Sequence, residues 1–164
     1  MKQESYIQIT NKIRKFKYGE RTVIFINRLL TDIVYIAFLI LLVSLMIQKN
    51  KDMIRIVLIT GVSFAFVSII RHFINAQRPY AKYDFVPLIS KEKKGDSMPS
   101  RHVFSAFIIG MAYLYVSIPM GIVIMMIGVL LATVRVIAGV HFPKDVIAGA
   151  AIGIILGIIG FYVI

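Results

Sequence analysis

Read only for hydrophobic and polar positions, the chain is a series of apolar runs separated by short polar segments. Residues 29–48 form the first run, broken only by Asp32 near its start, and a polar turn of Lys49, Asn50, Lys51 and Asp52 follows. Residues 56–70 form a second uncharged run between Arg55 and Arg71. As a helix this run reaches about 22 Å against a hydrocarbon core of ~30 Å, so the helix is expected to continue past Arg71. Residues 103–134 carry no charge at all. One helix of that length would run about 48 Å, so Ser117, Ile118 and Pro119 are read as a break between spans at 103–116 and 120–134. The last run, 146–164, carries Gly149, Gly153 and Gly157 at four-residue spacing, a smooth stripe for close helix packing. Packing within the chain is its expected use, and a homodimer seam is the alternative.

The pattern predicts an all-α fold: a polytopic membrane helix bundle of about five transmembrane spans, preceded by an N-terminal amphipathic interfacial helix. Residues 1–28 mix Lys12, Arg14, Lys15, Lys17 and Arg21 with Ile7, Ile9, Ile13, Phe16, Ile24 and Phe25. This segment reads as a basic helix lying in the membrane interface and interrupted near Gly19, lysines towards headgroups and apolar side chains towards acyl chains. Residues 29–164 form a single membrane-embedded domain, with polar loops at 71–102 and 135–145 on the same side as the amino terminus.

Composition sharpens this picture. Of 164 residues, 59% are hydrophobic and none is cysteine or tryptophan, which lies outside the range of soluble globular domains. Without cysteine there are no disulfides, no thiolate chemistry and no soft-ligand metal sites. The first apolar run has no small-residue cleavage site after it and is expected to stay as an anchor. The net charge of +11 is gathered between apolar runs, which suits anionic headgroups or an anionic substrate. Aromatic and basic residues do not interleave as a stacking platform for nucleic acid would require. Lys91, Lys93 and Lys94 read as a solvated run, and His72 as an interfacial side chain. Asp84, Glu92 and Asp96 are not clustered as a hard cation would need, so no metal is assigned.

Three clusters of ionisable residues share one membrane side, where such residues are costly unless they serve a site. Arg71 and Arg78 are seven residues apart before Pro79, a spacing that in a helix would place both on one face about two turns apart. Pro99, Ser100, Arg101 and His102 lead into the third span, whose first turn offers free backbone N–H groups and a positive dipole end to a phosphate. Arg135, His141 and Asp145 make the last cluster, and in a helical segment His141 and Asp145 would lie on one face. A carboxylate beside an imidazole fixes its tautomer and raises its basicity, and an arginine supplies a planar fork for phosphate oxygens. That is the outline of a histidine nucleophile.

Together these residues resemble the type 2 phosphatidic acid phosphatases of the lipid-phosphatase and vanadium-haloperoxidase superfamily. The family pattern is a basic residue and a spaced Arg-Pro, then Pro-Ser-Gly-His, then Ser-Arg, His and Asp. Here Arg71, Arg78, Pro79, Pro99, Ser100, His102, Arg135, His141 and Asp145 occupy those positions, with six residues between the first two arginines, five between Arg135 and His141, and three before Asp145. The resemblance runs from Arg71 to the end of the chain. It implies that His141 attacks phosphorus to form a phosphohistidine while Asp145 holds its other nitrogen. It implies that His102 protonates the leaving lipid alcohol and then activates water. Arg71, Arg78, Ser100, Arg101 and Arg135 would bind phosphate, with no cofactor and no metal. Arg71 stands where lysine is common, Arg101 replaces the glycine of Pro-Ser-Gly-His, and Val134 replaces the serine before Arg135. Arg101 adds a positive group that suits a substrate with more than one phosphate.

The implied activity is hydrolysis of a lipid phosphomonoester or diphosphate, of the undecaprenyl diphosphate, phosphatidylglycerol phosphate or phosphatidate type. A non-catalytic anion-binding membrane protein or transporter could use the same arginines, but the spans lack the polar lining of a translocation path. The resemblance implies a multi-pass protein of the cell membrane with its site on the extracytoplasmic face. The positive-inside rule, applied to Lys12, Arg14, Lys15 and Lys17 against Lys49, Lys51 and Arg55, favours the opposite side. The outer face is the expectation.

Overall fold

The computed structural model describes residues 1–89 and 94–164. Lys91 and Lys93 of the expected solvated run, and Glu92, lie outside the described residues, and Lys94 is exposed. The described residues form helices α1 (Gln3–Arg14), α2 (Gly19–Ile47), α3 (Asp52–Ile74), α4 (Pro79–Tyr83), α5 (Arg101–Val116), α6 (Ile118–Ile137) and α7 (Pro143–Ile158), with a π-helical last turn, Ile159–Val163. The five-span bundle is therefore present. Four helices are long and apolar enough to cross a membrane: α2, the stretch begun by α3, α6, and α7 with its π turn. The fifth, α5, is shorter and sits inside the others.

Helix α5 is the post of the bundle. Every residue from 103 to 113 is buried, and α5 packs against α2, α3, α6 and α7. Its own sequence explains this placement, because a helix apolar on every face has no side to present to water. The surrounding helices turn residues such as Leu39, Ile40, Leu58, Val62, Ile147 and Ile155 outward, forming an apolar belt suited to acyl chains.

The glycine stripe is covered within the chain. A Cβ on Gly149 would meet the Ser100 carbonyl oxygen at 2.6 Å, one on Gly153 the Phe107 Cβ at 2.9 Å, and one on Gly157 the Met111 Cβ at 2.5 Å. The stripe lets α7 lie against α5, and the alternative of a homodimer seam on Gly149, Gly153 and Gly157 is withdrawn because α5 already occupies that face. The contact at Gly149 matters most, since it draws the start of α7 onto the start of α5.

Span boundaries differ from the apolar pattern in an instructive way. Helix α2 begins at Gly19 rather than near residue 29, so the expected boundary between a 1–28 leader and a 29–164 domain falls inside a helix. Helix α3 extends four residues beyond each end of its uncharged run and, at 23 residues, reaches about 34 Å. It needs no thinned membrane, because Arg71 turns into the bundle. The break at Ser117 is real: its N–H donates to the Tyr113 carbonyl at 2.6 Å, and Pro119 lies in the first turn of α6.

The interfacial helix is present but is not only interfacial. Tyr6 is fully buried, and its hydroxyl donates to the His141 backbone carbonyl at 3.1 Å. Arg14 reaches the carbonyls of Val86 and Pro87, both at 3.1 Å. Helix α1 is thus braced against both polar loops.

Candidate active site

Four elements deliver the ionisable residues to one end of the bundle. Helix α3 ends at Ile74 because Asn75 adopts a left-handed conformation, φ 40°, and Arg71 stands in the last turn, where the helix dipole favours a cation. Arg78 precedes Pro79 and is extended, as the proline ring demands. The two arginines therefore do not share a helical face. A turn between them, not helical spacing, brings both inward, and both are buried.

The guanidinium groups are largely engaged with the backbone. Arg71 Nη1 donates to the Pro99 carbonyl at 3.2 Å. Arg78 donates from Nε to Gly95 O at 3.1 Å, from Nη1 to Val140 O at 3.1 Å and from Nη2 to Asp96 O at 3.4 Å. Arg78 thus stitches the 94–100 segment to the turn before His141. A Cβ on Gly95 would meet Asn75 Oδ1 at 2.2 Å and push aside the amide oxygen that accepts the Asp96 N–H.

Arg135, in the last turn of α6, is 1% exposed and is the largest fully buried side chain among the described residues. Its Nη1 donates to Asn27 Oδ1 at 3.2 Å, and its Nη2 contacts His102 Nδ1. Its Nε is buried without a hydrogen-bond partner, as is the Ser100 hydroxyl beside the first turn of α5. Orphaned donors of this kind beside free helix N–H groups are what a bound anion satisfies.

After α6 the chain turns at Gly139, φ 76°, and presents His141, which is 1% exposed. His141 lies outside α7, which starts at Pro143, so His141 and Asp145 do not meet on one helical face. Asp145 folds back instead: its Oδ2 accepts the Phe142 N–H at 2.9 Å and the Ser97 hydroxyl at 2.5 Å. The carboxylate is 3.8 Å from His141 Nδ1, too far for a hydrogen bond, whereas Ser97 Oγ is 3.4 Å from that nitrogen. The backbone completes the join, Ser100 N–H donating to Asp145 O at 2.9 Å.

Burial lowers the His141 pKa to about 4, with the positive fields of Arg135 and Arg78 acting the same way and Asp145 opposing them. A neutral imidazole with Nδ1 turned to the Ser97–Asp145 pair leaves Nε2 free with a lone pair. Burial, and then the charge of Asp145, raises the pKa of the Tyr6 hydroxyl, so Tyr6 stays a neutral donor to the His141 carbonyl.

The structure brings Arg71, Arg78, Ser100, His102, Arg135, His141 and Asp145 together. Arg101 lies at the edge of this cluster: it is exposed, with its guanidinium 6.0 Å over the Phe64 ring on α3, and its charge still reaches Arg78. His72 is exposed. Sequence reasoning missed three residues: Ser97, Tyr6 and Asn27. Asn27 was legible in principle as an amide inside the apolar stretch 23–30, and Tyr6 as one face with Thr10 and Ile13. Ser97 offered no signal, because its role depends on two loops meeting.

Comparison with known proteins agrees with this arrangement. Residues 52–164 match the PAP2 superfamily model. Among solved structures, Aquifex aeolicus LpxE is similar at 26% identity and a TM-score of 0.72, over 96% of this chain and 92% of that one. The first transmembrane PAP2 type phosphatidylglycerolphosphate phosphatase from Bacillus subtilis shares the fold at 21% identity and a TM-score of 0.69, over 96% of this chain and 83% of that one. No curated protein matches by sequence.

Neutral His141 stabilises the fold fully above its unfolded pKa near 6.5, and that contribution is lost as pH falls towards 4, because the unfolded chain binds the proton first. Titration of ¹⁵N-histidine in the solubilised protein should give His141 a midpoint near pH 4, and a midpoint above 6 would contradict its burial among cations.

Proposed function

From the premise that the chain belongs to the PAP2 superfamily, we propose that it is an integral membrane phosphatase that hydrolyses a lipid phosphomonoester or diphosphate through a phosphohistidine. The observation that carries this reading is the convergence of three arginines, two histidines and one aspartate on one buried end of an otherwise apolar bundle.

His141 Nε2 attacks phosphorus, and the bond from phosphorus to the lipid oxygen breaks as the new N–P bond forms. Arg71, Arg78 and Arg135, the Ser100 hydroxyl and the first N–H groups of α5 hold the equatorial oxygens as charge shifts onto them. Fixed donors of this kind do the neutralising work that a metal does elsewhere, so the reaction is metal-independent. His102 gives its proton to the departing alkoxide. As it stands, Arg135 donates towards His102 Nδ1, which keeps that nitrogen an acceptor. When a phosphate draws the Arg135 fork onto its oxygens, Nδ1 is released to bind a proton, and His102 becomes an imidazolium able to protonate the leaving group. Neutral His102 then takes a proton from water, the oxygen of which attacks the phosphohistidine and frees His141 and inorganic phosphate.

The lipid chain has a place to lie. An apolar groove of about 380 Å³ between α2, α3 and α5 is lined by Tyr35, Phe38, Leu42, Phe64 and Ile108 among others. Phe64 carries the Arg101 guanidinium, so Arg101 stands at the head of this groove. In that position it serves a second phosphate or the headgroup rather than the reacting phosphorus. Undecaprenyl diphosphate, phosphatidylglycerol phosphate and phosphatidate types fit this frame, and Arg101 favours a substrate with two phosphates.

The site faces the extracytoplasmic side of the cell membrane. The basic leader is tied to the site's end of the bundle through Tyr6 and the His141 carbonyl, and its lysines serve anionic headgroups there, so they do not count as independent signals of a cytoplasmic side.

Purified protein in detergent should release phosphate from a short-chain lipid phosphate in the presence of EDTA, and vanadate should inhibit by mimicking pentavalent phosphorus. His141→Ala should lower turnover by at least about 10³-fold; activity persisting in that variant would end this reading. In intact cells a Lys94→Cys variant should react with a membrane-impermeant maleimide, made clean by the absence of native cysteine. Labelling only after lysis would put the site on the cytoplasmic face.

A further inference from the structure

We infer that Tyr6 is a positioning residue of the reaction: its hydroxyl holds the backbone carbonyl of His141 and thereby fixes where the imidazole meets phosphorus. The inference rests on the phosphatase reading for its kinetics and on geometry for its assignment. Tyr6 lies on α1, far ahead of the motif that begins at Arg71. It is fully buried, and its hydroxyl donates to the His141 carbonyl at 3.1 Å. A buried carbonyl needs a donor, and at the nucleophile that donor comes from α1.

The turn that carries His141 is pinned one peptide group at a time. The Val140 N–H donates to the Arg135 carbonyl at 3.3 Å, and the Val140 carbonyl accepts Arg78 Nη1 at 3.1 Å. The Phe142 N–H donates to the Asp145 carboxylate at 2.9 Å. Between them stands the His141 carbonyl, held by Tyr6. Arg78 and Asp145 anchor this turn and also face the phosphate or the imidazole, so a change at either alters two things at once. The Tyr6 hydroxyl meets the backbone, which isolates the anchoring from the chemistry.

Aromatic contacts keep that hydroxyl on target. The Tyr6 ring stacks on Phe85 with centroids 5.4 Å apart and meets Phe142 edge-on at 5.9 Å, while Tyr83 meets Phe142 at 5.7 Å. Phe142 directly follows the nucleophile, and Phe85 lies against Gly139, where a Cβ would meet its ring at 2.8 Å. Gly139, φ 76°, is the residue that turns the chain towards His141. Gln3 Nε2 donates to the Tyr83 carbonyl at 2.9 Å and ties the first turn of α1 to the same group. Stacked and edge-on rings have defined geometry, so the group holds the turn from both sides.

In-line attack needs Nε2 about 3–3.5 Å from phosphorus and aligned with the bond that breaks. The imidazole hangs from one Cα, so any rotation of the 141–142 peptide becomes an error in position at Nε2. Removing the Tyr6 hydroxyl leaves the carbonyl buried without its donor and frees that rotation, while the arginines keep their own contacts. The loss therefore falls on kcat rather than KM.

The test combines kinetics with the carbonyl itself. In solubilised protein acting on dioctanoyl phosphatidate, Tyr6→Phe should lower kcat about 10-fold, inside the ~10²-fold that a misplacement of ~1 Å costs, with KM changed less than about twofold. Phe85→Leu, which keeps the hydroxyl and removes the stack, should give a smaller loss of kcat. With ¹³C-carbonyl histidine and ¹⁵N-phenylalanine, the His72–Phe73 and His141–Phe142 peptides carry both labels, and a His72→Gln background leaves the second alone. Its carbonyl carbon should move upfield in Tyr6→Phe, as a carbonyl does on losing a donor. A folded Tyr6→Phe variant with wild-type kcat, a loss confined to KM, or an unmoved carbonyl signal would overturn the inference while leaving the phosphatase reading intact. If Tyr6→Phe does not fold, the same readings on Phe85→Leu decide. Absence of phosphate release from the wild type would sink the phosphatase reading instead, and the carbonyl signal would still decide the Tyr6 contact.

Discussion

The structure depends on keeping guanidinium groups charged at the end of an apolar bundle. An ion moved from water into such a setting costs several kcal/mol even after relaxation, and Arg71, Arg78 and Arg135 are all buried there. Backbone carbonyls and the charges of Asp96 and Asp145 offset Arg78, and the Asn27 amide and an imidazole meet Arg135. Three guanidinium groups stand there against the carboxylates of Asp96 and Asp145, and on the proposed reading a tetrahedral phosphate is the ligand whose charge and acceptor oxygens fit them.

That constraint explains much of the surrounding architecture. Loops that carry buried backbone must satisfy it, and the arginines serve both needs by cross-linking carbonyls from separate segments while keeping spare N–H groups for an anion. Helix α5 supplies a rigid post whose first turn meets the start of α7 across Gly149, and that close approach puts Ser100, His102 and Asp145 in one place. Preorganisation of this kind is what makes fixed donors effective, since they need no rearrangement when charge develops on phosphorus. On the proposed mechanism only the Arg135–His102 pair changes partners, coupling substrate arrival to the proton needed by the leaving group.

Much of the fold was written in the apolar pattern. The uncharged stretch 103–134 was too long for one span, and its single proline, Pro119, just after Ser117, marks the observed break. The glycine stripe announced close packing, and α5 supplies the partner. Boundaries were harder to read. Hydropathy treats Arg21, Arg28 and Arg71 as the ends of spans, but a helix ends where its backbone bonding ends, so α2 and α3 run on through the charges. The same blind spot hid Asn27. The candidate site residues formed a motif in the sequence, but the local geometry first attached to them was wrong: Arg71 and Arg78, and His141 and Asp145, meet through turns rather than along helical faces. Ser97 and Tyr6 owe their roles to tertiary contacts with segments 44 and 135 residues away, which no local pattern encodes.

The central claim is that His141 carries the phosphoryl group during turnover. Rapid quenching of the solubilised protein with a lipid substrate labelled with ³²P at its phosphate, followed by peptide mapping, reads this directly. The account predicts an acid-labile, base-stable label on the peptide containing His141. Steady turnover with no trapped label, or label on another residue, would contradict it.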